Sequence, residues 1–148
     1  MSFTPKRILV PTDESDNAKL ALAEAVSIAK LTDAEVYLLE VVAPLYSAPQ
    51  YPVEDLAGQV TEHAKAYTQR LAEKTIAETG FTKIKSLVSS GIPKPTIAKT
   101  IPEKYEIDLI VIGATGTNAF ERALLGSTTG YVVRNATVNV MVVKDPEA

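Results

Sequence analysis

The pattern that most limits what this chain can fold into is an alternation. Short apolar runs at 7–11, 35–42, 83–89, 109–112 and from Asn139 to Lys144 are separated by longer segments in which apolar residues recur every three or four positions. Runs of four to eight residues suit strands, and three-and-four spacing suits helices. The alternation therefore predicts an α/β fold: a single domain with an open five-stranded parallel sheet and helices on both faces, Rossmann-like. "ILV", "VYLLEVV" and "LIVI" are almost unbroken apolar runs, as strands buried on both faces require, whereas "KIKSLVSS" mixes polar and apolar positions as an edge does. The third strand is expected at one rim. At the other rim, the apolar "VNVMVVK" would be an aggregation liability unless something pairs with it.

The helical segments are uneven. Ala18, Leu22, Ala25, Val26 and Ala29 fall on one face of a helix of about four turns, with Ser15 or Asp16 as N-cap. A second helix is expected over Val53–Thr79, with Leu56, Val60, Ala64, Tyr67 and Leu71 as its buried stripe and Gly80 as its stop. The stretch before it, from Pro44 to Pro52, carries three prolines and two tyrosines and reads as an irregular excursion. A third helix carries Ile97 and Ile101, but Pro102 removes a backbone donor, which predicts an early end or a kink there.

Composition excludes several chemistries. With 148 residues the chain is one domain's worth, and no stretch approaches a membrane span or a secretory signal, so a cytoplasmic protein is expected. Having no cysteine excludes disulfides, thiolate metal sites and cysteine nucleophiles. One histidine, His63, argues against an imidazole metal site or a Ser-His-Asp triad, and it reads as a surface or interface residue. A net charge of -3 without a basic cluster argues against nucleic acid.

The remaining signal is a loop. "GATGTNAFERALLGSTTG", 113–130, holds four of the seven glycines and follows directly on "DLIVI". In open α/β sheets, ligands bind at the carboxyl ends of the strands, near the point where strand order reverses. Glycines there permit positive φ and close backbone approach. Ser127 and its neighbours, opening the last helix, offer free amides, hydroxyls and the positive end of a helix dipole, a physical match to phosphate. There is no Gly-Lys-Ser/Thr element, so charge neutralisation would fall to backbone donors, hydroxyls and a divalent cation, with Mg2+ expected. Arg122 could reach a phosphate or be a solvated helix arginine, and Glu40 in an apolar strand faces either the crevice mouth or a partner subunit.

The spacing glycine, two residues, glycine, nine residues, glycine, serine from Gly113 to Ser127 resembles the nucleotide-binding signature of the universal stress protein family, in its ATP-binding branch. "ILVPTDESDNAKLALAEAVSIAK", "VYLLEVV", "DLIVIGATG" and "GSTTGYVVRNATVNVMVVK" are similar to its first strand and helix, second strand, fourth strand and closing segment. The resemblance implies an adenine nucleotide alpha hydrolase-like sheet with strand order 3-2-1-4-5. It also implies ATP or AMP as ligand. Carried over residue by residue, it implies Pro11 and Thr12 lining the crevice and Asp13 beside ribose or metal-bound phosphates. Val41 would meet the adenine edge, with Val42 as the one-residue alternative. Gly113, Ala114 and Gly116 would wrap ribose and α-phosphate, with Gly126, Ser127, Thr128 and Thr129 on the distal phosphates. The family also implies a homodimer through the last strand and a nucleotide-dependent stress regulator or sensor. A dimeric interaction module without nucleotide, or a slow ATPase, are the alternatives; the loop supplies no group to activate water, so binding without rapid turnover is expected.

Overall fold

Ile8, Leu9 and Val10 have no exposed surface, and around them the sheet is built. A computed structural model describes residues 2–44, 53–115 and 125–146, with the backbone alone for 53–55. In it β1 (Arg7–Pro11), α1 (Asp16–Thr32), β2 (Glu35–Val42), α2 (Val53–Thr79) and β3 (Ile84–Ser90) follow in turn. Then come a short α3 (Pro93–Pro95), a π-helical turn (Thr96–Thr100), α4 (Ile101–Tyr105), β4 (Leu109–Gly113), α5 (Ser127–Asn135) and β5 (Asn139–Val143). All strand pairs are parallel, in the order β3-β2-β1-β4-β5. The expected α/β fold and strand order are both present. Strands β3 and β4 end one residue later than expected, and β5 stops at Val143, one residue before Lys144.

Alternation along the strands divides the interior into two layers. Ile8, Val10, Val36 and Leu38 pack with Ala21, Leu22, Ala25 and Ala72 from α1 and α2. Leu9, Tyr37, Leu39 and Ile110 point the other way, toward Ile97, Ile101 and Val132 from the helices that precede β4 and β5. In the central strands, residues such as Ile8 and Leu9 are thus buried whichever way they face, which is why these strands need no polar alternation.

Ser15 is the N-cap of α1, its hydroxyl accepting from the Ala18 amide at 3.2 Å. Helix α2 ends as expected at Gly80, whose φ of 74° suits glycine. Its stripe is corrected: Leu56 and Val60 are exposed, and the buried face is Ala64, Thr68, Ala72 and Thr75. A helix of about 40 Å outruns the strands it covers, so its first turns have no sheet beneath them. The segment does not end at Pro102 but runs on to Tyr105. The ladder widens one turn earlier, with the Ile101 amide donating to the Thr96 carbonyl, so the turn before the missing donor absorbs the misfit.

Candidate functional site

Strands β1 and β4 are neighbours at the centre of the sheet, and the chain leaves them toward opposite edges, so their carboxyl ends form the crevice at the order reversal. Pro11 ends β1, and the Thr12 amide extends the pairing with β2 by donating to the Leu39 carbonyl at 2.8 Å. The next turn is laced by short-range bonds. The Glu14 amide donates to Thr12 Oγ1 and the Ser15 amide to Asp13 Oδ1, both at 3.0 Å. Asp13 is exposed at the crevice, and one of its oxygens shapes the turn. Val41 stands half-buried two residues beyond Leu39, past the paired part of β1.

Across the crevice, the chain leaves β4 at Ala114 and returns at Gly126, whose amide donates to the Ala114 carbonyl at 2.8 Å. Thr129 is buried, and its hydroxyl donates to the Gly113 carbonyl at 2.7 Å, fixing the first turn of α5 against the end of β4. Gly126 is the N-cap of α5 and supplies no side-chain cap. The amides of the first turn, at Ser127 and Thr128, have no acceptor within the helix, and Ser127 is exposed. This donor set suits an anion. Gly116 and Arg122 lie outside the described residues.

Neither Gly113 nor Gly126 has a positive φ; Gly126 sits at φ -57° and ψ 155°, open to any residue. At Gly113 a Cβ would lie 3.0 Å from the Asn17 carbonyl oxygen. Close helix-to-strand packing leaves little room for a side chain at that position.

Asn17 is the residue the sequence reading passed over. Its Oδ1 accepts from the Thr115 amide at 2.8 Å and the Thr115 hydroxyl at 3.0 Å, while Nδ2 donates to the Val143 carbonyl at 3.3 Å. One buried amide thereby joins α1, the loop after β4 and the end of β5. The available signal was its phase: Asn17 is the polar member of the stripe that continues through Ala21 and Ala25.

Two acidic residues near the crevice bear on its electrostatics. Glu14 meets His63 of α2, with Nε2 at 3.0 Å from each carboxylate oxygen. Burial first, then the neighbouring Glu14 carboxylate, pushes the Glu40 carboxyl up to about 7. Glu40 thus faces a cluster at the crevice end of the sheet. His63 is exposed as expected, but bonded.

Comparison with known proteins places these features in a family. The sequence profile of the universal stress protein family matches residues 4–144. A universal stress protein of Methanocaldococcus jannaschii is 37% identical over 144 residues, covering 96% of this chain and 84% of its own length. Among solved structures, the universal stress protein UspA from Lactobacillus plantarum superposes with a TM-score of 0.83 at 41% identity, over 96% of this chain and 99% of its own. A universal stress protein solved in complex with cAMP shares the fold, with a TM-score of 0.73 at 23% identity over 95% and 98% of the two chains.

Proposed function

The chain belongs to the universal stress protein family, and from that premise we propose that it binds an adenine nucleotide, ATP or AMP, in the crevice between the carboxyl ends of β1 and β4. The observation that carries this reading is the uncapped first turn of α5, tied by Thr129 to the end of β4 at the point where strand order reverses. Free amides and the positive end of the helix dipole favour phosphate there. That a relative of the same fold was solved with cAMP supports testing adenine ligands first.

In this reading Pro11, Thr12 and Asp13 line the ribose side, and Val41 meets the base. Gly113, Ala114 and Gly116 wrap the ribose and α-phosphate, while Gly126, Ser127, Thr128 and Thr129 take the distal phosphates. Among the described residues no group of three or more acidic or histidine side chains could hold a metal ion, so Mg2+ would enter as the companion of the phosphates, with Asp13 as its one protein-side candidate. The protein then acts in the cytoplasm as a nucleotide-dependent regulator of the stress response, and works as a homodimer through β5. Turnover of ATP is expected far below the roughly 1 to 100 per second of dedicated phosphoryl-transfer enzymes, because the described residues that would meet the distal phosphates, Gly126 to Thr129, offer amides and hydroxyls alone.

Calorimetric titration with Mg-ATP, AMP, cAMP and GTP tests the reading. Adenine nucleotides should bind and GTP should bind more weakly. Gly126→Leu puts a side chain at the mouth of the phosphate turn at a φ any residue tolerates, so it should abolish binding while circular dichroism stays unchanged. Binding of ATP by this variant as tightly as by the parent would remove the phosphate-turn assignment.

A further inference from the structure

Helices α1 and α2 lie on the same face of the sheet, α1 over β1 and β4 and α2 over β2 and β3. Between them a groove of about 450 Å³ stays unfilled, and none of the residues assigned to the nucleotide lines it.

The groove follows from the residues that the two helices turn toward each other. On its side α1 presents Lys19 and, one turn on, Ala23. On the other side Tyr67, Leu71 and Thr75 recur at every fourth position of α2, with Arg70, Lys74 and Glu78 as the exposed row beside them. The single methyl of Ala23 cannot span to the opposite helix, so the space that a larger side chain would fill is left open. Leu22, only 2% exposed, forms the floor, and Leu71 packs half-buried against the same core. The two threonines of the groove spend their hydroxyl protons within α2: Thr75 donates to the Leu71 carbonyl at 2.7 Å and Thr79 to the Thr75 carbonyl at 2.6 Å. The interior of the groove is therefore mainly apolar.

Its rim is charged with one sign in excess. Lys19, Arg70 and Lys74 stand against a single carboxylate, Glu78, in a chain whose net charge is -3. Lys19 pairs with Asp16 and Lys74 with Glu78, each at 3.9 Å and at exposed positions, where such pairs are weak. Arg70 forms no ion pair among the described residues. A guanidinium of this kind presents a planar fork that matches a carboxylate.

Size and shape select the occupant. The volume falls within the roughly 300 to 1,000 Å³ of small-molecule sites, whereas the ten lining residues are well short of the roughly 20 to 30 that a protein partner covers. A flat bilayer would meet the charged rim and not Leu22, which lies beneath it. We propose that the groove between α1 and α2 binds a free long-chain fatty carboxylate, with its headgroup on Arg70, Lys19 and Lys74 adding to the positive field, and its chain along Leu22 and Leu71. Burial of the chain supplies the attraction, and the rim supplies the preference for an anion.

Nuclear magnetic resonance titration of the full chain with dodecanoate, held below its micelle concentration, tests this, with dodecyltrimethylammonium as the cation of matched chain. Dodecanoate should saturate one site and shift amides at 19–23 and 67–79, and the ammonium should bind about tenfold or more weakly. Arg70→Glu reverses the charge at an exposed position and should weaken dodecanoate by about tenfold or more while circular dichroism stays unchanged. Ala23→Phe fills the gap and should abolish binding. The proposal is overturned by the absence of saturable shifts, by shifts confined to other amides, by equal binding of the ammonium, or by parental affinity in either variant. Association of these amides with phosphatidylglycerol vesicles or with a second copy, in place of dodecanoate, overturns it equally. Should a variant fail to fold, the comparison of dodecanoate with the ammonium on the parent decides.

Discussion

At the scale of single residues, the crevice rests on a few hydrogen bonds between elements distant in sequence. Asn17 satisfies the Thr115 amide and reaches the Val143 carbonyl from the second position of α1. Asn17→Ala leaves the Thr115 amide without its acceptor, at a cost of about 1 to 3 kcal/mol, the usual range for a stranded buried donor. Urea denaturation should show that loss. Nucleotide affinity should fall as well, since the loop after β4 loses the side chain that fixes Thr115. An Asn17→Ala protein as stable as the parent would mean the Thr115 amide finds another partner.

At the scale of elements, the burial of a helix is decided by what lies beneath it. Leu56 fits the apolar spacing of α2 as well as Ala64 does, yet it is 53% exposed against 1%. Leu56→Ala should therefore change stability by within about 0.5 kcal/mol, as exposed substitutions do. Ile101 is 4% exposed beside the widened turn before Pro102, and Ile101→Ala should cost about 2 to 5 kcal/mol through the lost contacts and the cavity. Equal chemical denaturation midpoints for the two variants would contradict this account of the layers.

At the scale of the whole molecule, β5 is an edge strand whose Val140 and Val142 are only half-buried within one chain. An apolar edge of this kind recruits a partner strand. A second copy pairing there would bury on the order of 800 Å² per chain. The parent should sediment as a dimer at micromolar concentration, and Val140→Lys should sediment as a folded monomer by circular dichroism. A parent that remains monomeric at high micromolar concentration would remove the dimer.

The sequence alone determined the layered architecture, because apolar runs and helical spacing are local patterns, and a strand such as Leu109–Gly113 has to be buried on both faces wherever it sits. It also marked the loop from Gly113 to Ser127, since glycine spacing after a strand is readable without coordinates. Only the tertiary structure decided which apolar positions of α2 meet the sheet, since helical period does not reveal where the neighbouring strands end. Only it showed how closely Asn17 packs against Gly113, and that Glu14 meets His63. Those contacts join residues separated by tens of positions, and no local pattern encodes a distance that chain folding alone creates.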